Sequence, residues 1–454
     1  MTGDPRRVAP RQLVHIGLGA ALGVALYLAP LPGLPEPARR CLAILAVATW
    51  LWVTEAIPLY ATSLLVVLLE SVLLTGPLKV GPKLFIAPLF DPVIMLFLGG
   101  FVLSHALARY NLDVRLAHAI LGRTGTRPGS VLFGMMFVAA FLSMWMSNTA
   151  ATALLIGLAL TVIRRLPADE PFSVALILGI PFAANIGGVA TPIGTPPNAM
   201  ALGILAEHGI RVSFLKWMAI GLPVAALLFL LLWWLLARLF PARAGRIELD
   251  PPERGRLDQR QWLVVGVFAA TVLLWLTAEL HRLPAAVVAM VPAVVFTGLR
   301  VLDREDFGRI GWDILILMGG GLSLGVAIRE SGLAAWLLSL LHVGGVNPLL
   351  LTAIVTLVAM VVTTFISNTS TAALLLPLVA GLTPHPVLPV IACAIGVSVS
   401  MVLPVSTPPN AIAYGSGLVS VRTMARVGII LSAVGLVVVV LGVLGLTRLL
   451  GYPT

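Results

Sequence analysis

Charge is what this 454-residue chain has least of: Asp, Glu, Lys and Arg together make up 11% of it. Soluble domains carry about 25%. With 59% hydrophobic residues and a mean hydropathy of +1.04, the shortage excludes a soluble enzyme, a disordered protein and a nucleic-acid reader. Cysteine is nearly absent. Cys41 and Cys393 each stand in an apolar run, which excludes a disulfide framework and a Cys/His metal spacing. The seven histidines are scattered, so no zinc site is expected. No His-Glu-x-x-His occurs, which argues against a membrane-embedded metalloprotease.

What is there instead is apolar sequence in quantity. Long apolar stretches recur from residue 13 to residue 449, interrupted by one hydrophilic linker at 241–260. At about 20 residues per span, this length holds ten or more membrane crossings. The expected fold is an all-α polytopic membrane protein of about eleven transmembrane segments. Arg6, Arg7 and Arg11 precede an apolar run from Leu13 that is too long for a signal peptide, so an uncleaved first span with a cytoplasmic N-terminus is expected. Several runs are too long for a single crossing. The one from Cys41 to Thr75 contains Glu55-Ala56-Ile57-Pro58, and proline and its predecessor both disfavour continuous helix.

The two halves of the chain resemble each other. An offset of 220 places Gly99-Gly100 on Gly319-Gly320 and Ser147-Asn148-Thr149 on Ser367-Asn368-Thr369. An offset of 212 places Thr195-Pro196-Pro197-Asn198 on Thr407-Pro408-Pro409-Asn410, as a loop eight residues shorter would produce. Three matches in one order imply an internal duplication. The division expected is an N-terminal segment with the first span (1–40), a first repeat (41–240), a cytoplasmic linker (241–260) and a second repeat (261–454). Five spans per repeat would invert the second against the first. Loops 1–12, 109–129, 164–171, 238–260, 300–309 and 422–426 then fall on the cytoplasmic side and hold 20 of the 29 Lys and Arg residues, as the positive-inside bias requires.

Broken helices at matching positions of inverted repeats point to a transporter's binding site. Ser, Asn and Thr are preferred N-caps, so each Ser-Asn-Thr triplet reads as the start of a helix inside a re-entrant hairpin. Each Thr-Pro-Pro-Asn reads as a second start, with Thr195 or Thr407 as cap and proline in the tolerated first position. Free N–H groups and the positive dipole end at such starts attract anions. Unwound backbone at Asn185-Ile186-Gly187-Gly188 and Gly194 presents carbonyl oxygens, which suit a hard cation. No Lys or Arg lies in the four motifs. An anion there must be held by dipoles, hydroxyls and amides, with bound cations supplying compensating charge. In membrane helices the same residue types also act as packing glue or mark kinks, and the ordered duplication is what favours a site. Glu55, at a helix break, and Asp313, expected at the interface, are the candidate proton relays.

Thr54-Glu55-Ala56-Ile57-Pro58, the two Ser-Asn-Thr triplets, Ala184-Asn185-Ile186-Gly187-Gly188, Gly194-Thr195-Pro196-Pro197-Asn198 and Ser406-Thr407-Pro408-Pro409-Asn410 resemble the divalent-anion:sodium symporter family over nearly the whole chain. The resemblance implies a homodimer with inverted repeats, two re-entrant hairpins per protomer and elevator-like movement. It implies Na+ as the coupling ion and a divalent anion, such as a C4 dicarboxylate, citrate or sulfate, as cargo. It places Ser147, Asn148, Thr149, Thr195, Ser367, Asn368, Thr369 and Thr407 around the substrate. It places one sodium on Ser143, Ser147, Asn148 and Gly194, and the other on Thr363, Ile366, Asn368 and Ser406. Ser406 stands where relatives often have alanine, a change that a backbone ligand tolerates. Within the family an exchanger looks like a symporter at motif level, and an anion channel is the alternative from outside it. The expected location is the inner membrane of a bacterial cell.

Overall fold

The structure, a computed structural model, describes residues 10–167, 169–247, 255–341 and 347–453. The expected first-span arginines Arg6 and Arg7, and the linker residues 248–254 with Arg254, lie outside the described residues. All regular structure among the described residues is helical. Helix α1 (Pro10–Leu28) comes first and packs on the helix that follows it. Then come α2 (Glu36–Thr54), α3 (Leu59–Leu73), and the single turns α4 (Thr75–Leu78) and α5 (Lys83–Ile86). α6 (Pro92–Arg109) and α7 (Leu112–Leu121) lead into a hairpin, α8 (Pro128–Ser143) and α9 (Asn148–Ile163). α10 (Pro171–Gly188) and α11 (Pro196–Glu207) flank an unwound stretch, and α12 (Phe214–Leu239) precedes the linker.

The order then recurs. α13 (Gln259–Leu276), the turn α14 (Ala278–His281), α15 (Ala285–Gly298) and the turn α16 (Arg304–Gly308) lead to α17 (Trp312–Glu330) and α18 (Leu333–Leu341). A second hairpin, α19 (Pro348–Thr363) and α20 (Asn368–Gly381), is followed by α21 (Val387–Val399), α22 (Pro408–Gly415) and α23 (Val421–Leu449). From α2 to α12, each long helix has its counterpart between α13 and α23.

Packing between the halves is reciprocal. α3 packs on α17 and α15 on α6; α11 packs on α20 and α22 on α9. α12 and α23 pack on each other. Small residues permit the closest of these approaches. A methyl group on Gly99 of α6 would overlap the Ala289 carbonyl of α15, and one on Gly320 of α17 would overlap Ser63 of α3. This explains the duplicated glycine pairs physically, since only Gly leaves room for the crossing. Seven of the described helices are long and apolar enough to cross a membrane, and large apolar side chains such as Leu68, Val72, Leu230, Val294 and Val437 face outward. Exposed apolar surface on this scale belongs against lipid.

Local chemistry sets the breaks. α2 ends at Thr54 because Glu55 turns into the left-handed region (φ 47°), and Pro58 starts α3. One carboxyl is fully buried: Glu70 of α3 accepts a hydrogen bond from Ser323 of α17. Ser323 lies in the Gly-x-Ser-x-Gly spacing 321–325, which sits in mid-helix with its hydroxyl committed to Glu70 and the Phe85 carbonyl, so it presents no exposed nucleophile.

Candidate functional site

Four helix starts meet around one cavity of about 420 Å³. Ser147 and Ser367 are extended (ψ 139° and 148°), and each accepts a bond from the backbone N–H three residues on, at 3.2 and 3.1 Å. That cap makes α9 begin at Asn148 and α20 at Asn368. Thr407 caps α22 in the same way, accepting from the Asn410 N–H at 3.3 Å. Thr195 departs from expectation. It is the residue before Pro196, but its hydroxyl makes no cap; the Asn198 N–H is held by the Thr195 carbonyl instead, at 3.1 Å. Its backbone is extended like that of Thr407, and Thr195 lines the cavity.

All eight substrate-binding candidates, Ser147, Asn148, Thr149, Thr195, Ser367, Asn368, Thr369 and Thr407, line this cavity. No Lys or Arg does. The opposite wall comes from α3, α6 and α17 through Tyr60, Phe97, Phe101, Ile314 and Leu317, with Asp313 at its edge. Asp313, expected at the interface, therefore reaches the cavity, while Glu55 is exposed outside it. The wall residues carry no motif and are brought in by the packing of distant helices, which is why the sequence did not mark them.

The cation candidates fall into two groups. Ser143 donates to Asn148 Oδ1 at 2.5 Å. A methyl group on Gly188 would lie 2.7 Å from Asn148 Oδ1 and 3.1 Å from the Gly194 carbonyl oxygen, so these oxygens crowd around a spot that only glycine leaves open. Ser147 and Gly194 adjoin it on the cavity wall. In the second half Thr363 donates to Asn368 Oδ1 at 2.7 Å. Ser406 spends its hydroxyl on the Leu403 carbonyl (2.7 Å) and on Asn410, leaving its own carbonyl available. Ile366 is buried and aliphatic, so only its backbone has oxygen to offer. Oxygen ligands without a carboxylate suit a singly charged hard cation better than a transition metal. No cluster of His, Cys, Asp or Glu fit for a metal occurs among the described residues.

The unwound stretches are held by the asparagines that close the Thr-Pro-Pro-Asn motifs. Buried Asn198 donates through Nδ2 to the carbonyls of Gly188 (2.9 Å), Val189 (3.3 Å) and Thr191 (2.7 Å). Asn410 does the same with fewer partners, the Leu403 carbonyl (3.2 Å) and Ser406 Oγ (3.1 Å). In the sequence both asparagines read as parts of a helix start; in the structure they staple the loop before it.

A polar, cation-free cavity among four helix ends inside an apolar bundle is the architecture of a secondary transporter. Residues 49–398 match the citrate transporter family. The chain is 36% identical to the sodium-dependent dicarboxylate transporter SdcS of Staphylococcus saprophyticus, over 95% of this chain and 90% of that one. It is 34% identical to SdcS of Staphylococcus aureus strain USA300, over 93% and 90%. Two solved structures share its fold: the YdaH transporter of Alcanivorax borkumensis (TM-score 0.54, 15% identity, 97% of both chains) and the antimetabolite efflux pump MtrF of Neisseria gonorrhoeae (TM-score 0.56, 12% identity, 93% and 96%). The protein belongs to the divalent-anion:sodium symporter family. It is a multi-pass membrane transporter and not an enzyme.

Proposed function

We propose that the protein is a sodium-coupled symporter that imports C4 dicarboxylates such as succinate, malate or fumarate. The observation that carries this reading is a cavity of about 420 Å³ lined by two complete Ser-Asn-Thr helix starts and by no basic side chain. A dianion held only by dipoles, amides and hydroxyls in a low-dielectric interior needs charge from elsewhere. Cations at the two oxygen clusters beside Asn148 and Asn368 supply it. Coupling then follows from electrostatics, because neither the anion nor the cations fill the site cheaply alone. The sodium dependence and dicarboxylate cargo of both SdcS relatives support the same assignment.

The substrate contacts are Ser147, Asn148, Thr149, Thr195, Ser367, Asn368, Thr369 and Thr407. The first cation takes Ser143, Ser147, Asn148 and Gly194, and the second takes Thr363, Ile366, Asn368 and Ser406. The chain lies in the inner membrane with its N-terminus in the cytoplasm, as a homodimer of eleven-span protomers. Its repeats, 41–240 and 261–454, are inverted, with segment 1–40 before them and linker 241–260 between them. The reciprocal packing of α3 on α17 and α15 on α6 supports an exchange axis between them. Transport is of the elevator type, the hairpins and α10–α12 and α21–α23 moving against α2–α6 and α13–α17. The cavity reaches Tyr60 and Asp313, at the helix ends beside loop 300–309; a cytoplasmic position for that arginine-bearing loop supports an inward-facing reading. At the other end Glu207 of α11 pairs with Arg329 of α17 at 3.0 Å, a contact that the elevator movement must break.

Uptake of labelled succinate into proteoliposomes, with and without an inward sodium gradient, tests the reading. Concentrative, saturable uptake that requires sodium is expected. Uptake that ignores sodium but needs internal dicarboxylate makes the protein an exchanger; unsaturable current makes it a channel. Uptake of sulfate or citrate but not succinate changes the cargo alone.

A further inference from the structure

Asn185 belongs to neither cation group nor the substrate set, yet it touches both. It is 1% exposed, lies near the end of α10 and lines the cavity wall. Its Oδ1 accepts from Asn148 Nδ2 at 3.1 Å, and its Nδ2 donates to Thr407 Oγ1 at 3.3 Å, across 222 residues of sequence. The donors all point one way: Ser143 Oγ to Asn148 Oδ1, Asn148 Nδ2 to Asn185 Oδ1, Asn185 Nδ2 to Thr407 Oγ1. Flipping Asn185 alone would set donor against donor and flipping Asn148 alone acceptor against acceptor, so the two amides keep one common orientation, with Asn148 Oδ1 on the side of Ser143 and the Gly194 carbonyl. Thr407 Oγ1 also accepts from the Asn410 N–H, which leaves its own O–H as the group to donate into the cavity.

We infer that Asn185 is the positioning residue that couples sodium to substrate, transmitting charge from the first cation site to the Thr407 hydroxyl of the second half. This rests on the symporter reading above. A cation on Asn148 Oδ1 withdraws electron density from that amide and makes its N–H a stronger donor. Asn185 is polarised in turn, and so is Thr407, whose O–H then binds an anion more tightly. Hydrogen bonds in such chains strengthen one another, and a low local dielectric enlarges the effect. The reverse direction follows from linkage: an anion on Thr407 raises the affinity for the cation by the same factor.

The link is one-sided. α21, the counterpart of α10, carries no amide side chain. Asn368 Nδ2 accordingly has no partner among the described residues and faces the cavity, free to meet a carboxylate directly. The first cation therefore reaches the second-half hydroxyl through a wire as well as the anion through Asn148, whereas the second acts through Asn368 alone.

The test is the dissociation constant of succinate for purified protein at limiting and at saturating sodium; the ratio of the two is the coupling factor. Thermal stabilisation by sodium without dicarboxylate is measured beside it. In Asn185→Ala the coupling factor should fall about fivefold or more, the low end of ordinary allosteric couplings, while sodium alone still stabilises the protein. Thr407→Val, which leaves Asn185 in place, should lower the coupling factor too, and adding Asn185→Ala to it should lower it no further. Thr407→Ser, which keeps the hydroxyl, should retain it. Equal weakening of succinate at both sodium levels would make Asn185 an ordinary contact and overturn the inference. So would an unchanged coupling factor, or loss of stabilisation by sodium alone. A wild-type protein whose dicarboxylate binding ignores sodium brings down the symporter reading itself, a result visible before any variant is made.

Discussion

The two Ser-Asn-Thr starts have the same sequence and the same cap, but they sit in different shells. Around Asn148 both amide atoms have partners: Ser143 on its oxygen, Asn185 on one N–H of its nitrogen, with Gly188 pressed against it. Around Asn368 only Thr363 is engaged, through Oδ1. The loop beside the first start is stapled to three carbonyls by Asn198, whereas Asn410 holds the second by one carbonyl and one hydroxyl. Duplication thus supplied two copies of one motif, and the surroundings divided the work between them. The first start is networked through both amide atoms, and the second keeps an amide nitrogen with no partner among the described residues.

The comparison can be broken outright by removing its central residues. Asn148→Ala and Asn368→Ala should each reduce sodium-driven uptake at least about 100-fold in proteoliposomes, the scale expected when a buried polar contact to a charged ligand is lost. Wild-type uptake by either folded variant would remove that asparagine from the site. The two should differ in stability, since only Asn148→Ala strips partners from two neighbours. Gly188→Ala comes next. A methyl group there meets Asn148 Oδ1 at 2.7 Å, so sodium should no longer raise the melting temperature, while the variant still inserts into membranes.

Smaller effects sharpen the contrast. Asn198→Ala gives up three hydrogen bonds and Asn410→Ala two. At about 1 kcal/mol each, the first should lower thermal stability more than the second. An equal loss would mean that the two loops are held alike. Thr407→Val removes a helix cap worth about 1 kcal/mol, whereas Thr195→Val removes none, so without ligand only the former should unfold earlier. Least of all should come from Arg256→Gln in the exposed linker, where uptake should stay within about twofold of wild type, as surface charges contribute little.

Much of this was legible in the chain. Ser147 and Ser367 announce helix starts because a hydroxyl before Asn-Thr satisfies N–H groups that nothing else in lipid can. Gly99-Gly100 and Gly319-Gly320 announce the duplication, and the close crossings they permit appear only in the packing. The break at Glu55 is written in Pro58. What could not be read is everything that depends on a partner far away in sequence. Asn185 reads as part of an unwound stretch, yet residues 185–188 are the last turn of α10 and the chain unwinds only after Gly188; its partner Thr407 comes from the start of α22, 222 residues away. Asp313 belongs to the cavity only because α17 passes beside it. Thr195 makes no cap although its backbone matches that of Thr407 at the same motif position, and no residue difference within the motif signals it.

The reciprocal packing of the halves also has a meaning in time. Glu70 leaves the ribosome 253 residues before Ser323, and Ser63 leaves 254 residues before the Leu317 carbonyl it bonds. At about 5–20 residues per second, α3 waits roughly 10–50 s in the membrane for α17 to arrive. Throughout that interval a carboxyl side chain must be sheltered by water, by lipid headgroups or by the insertion machinery. Assembly of this protein is therefore paced by its second half, and a slow step in synthesising residues 300–330 should expose the first half to quality control before it has anything to pack against.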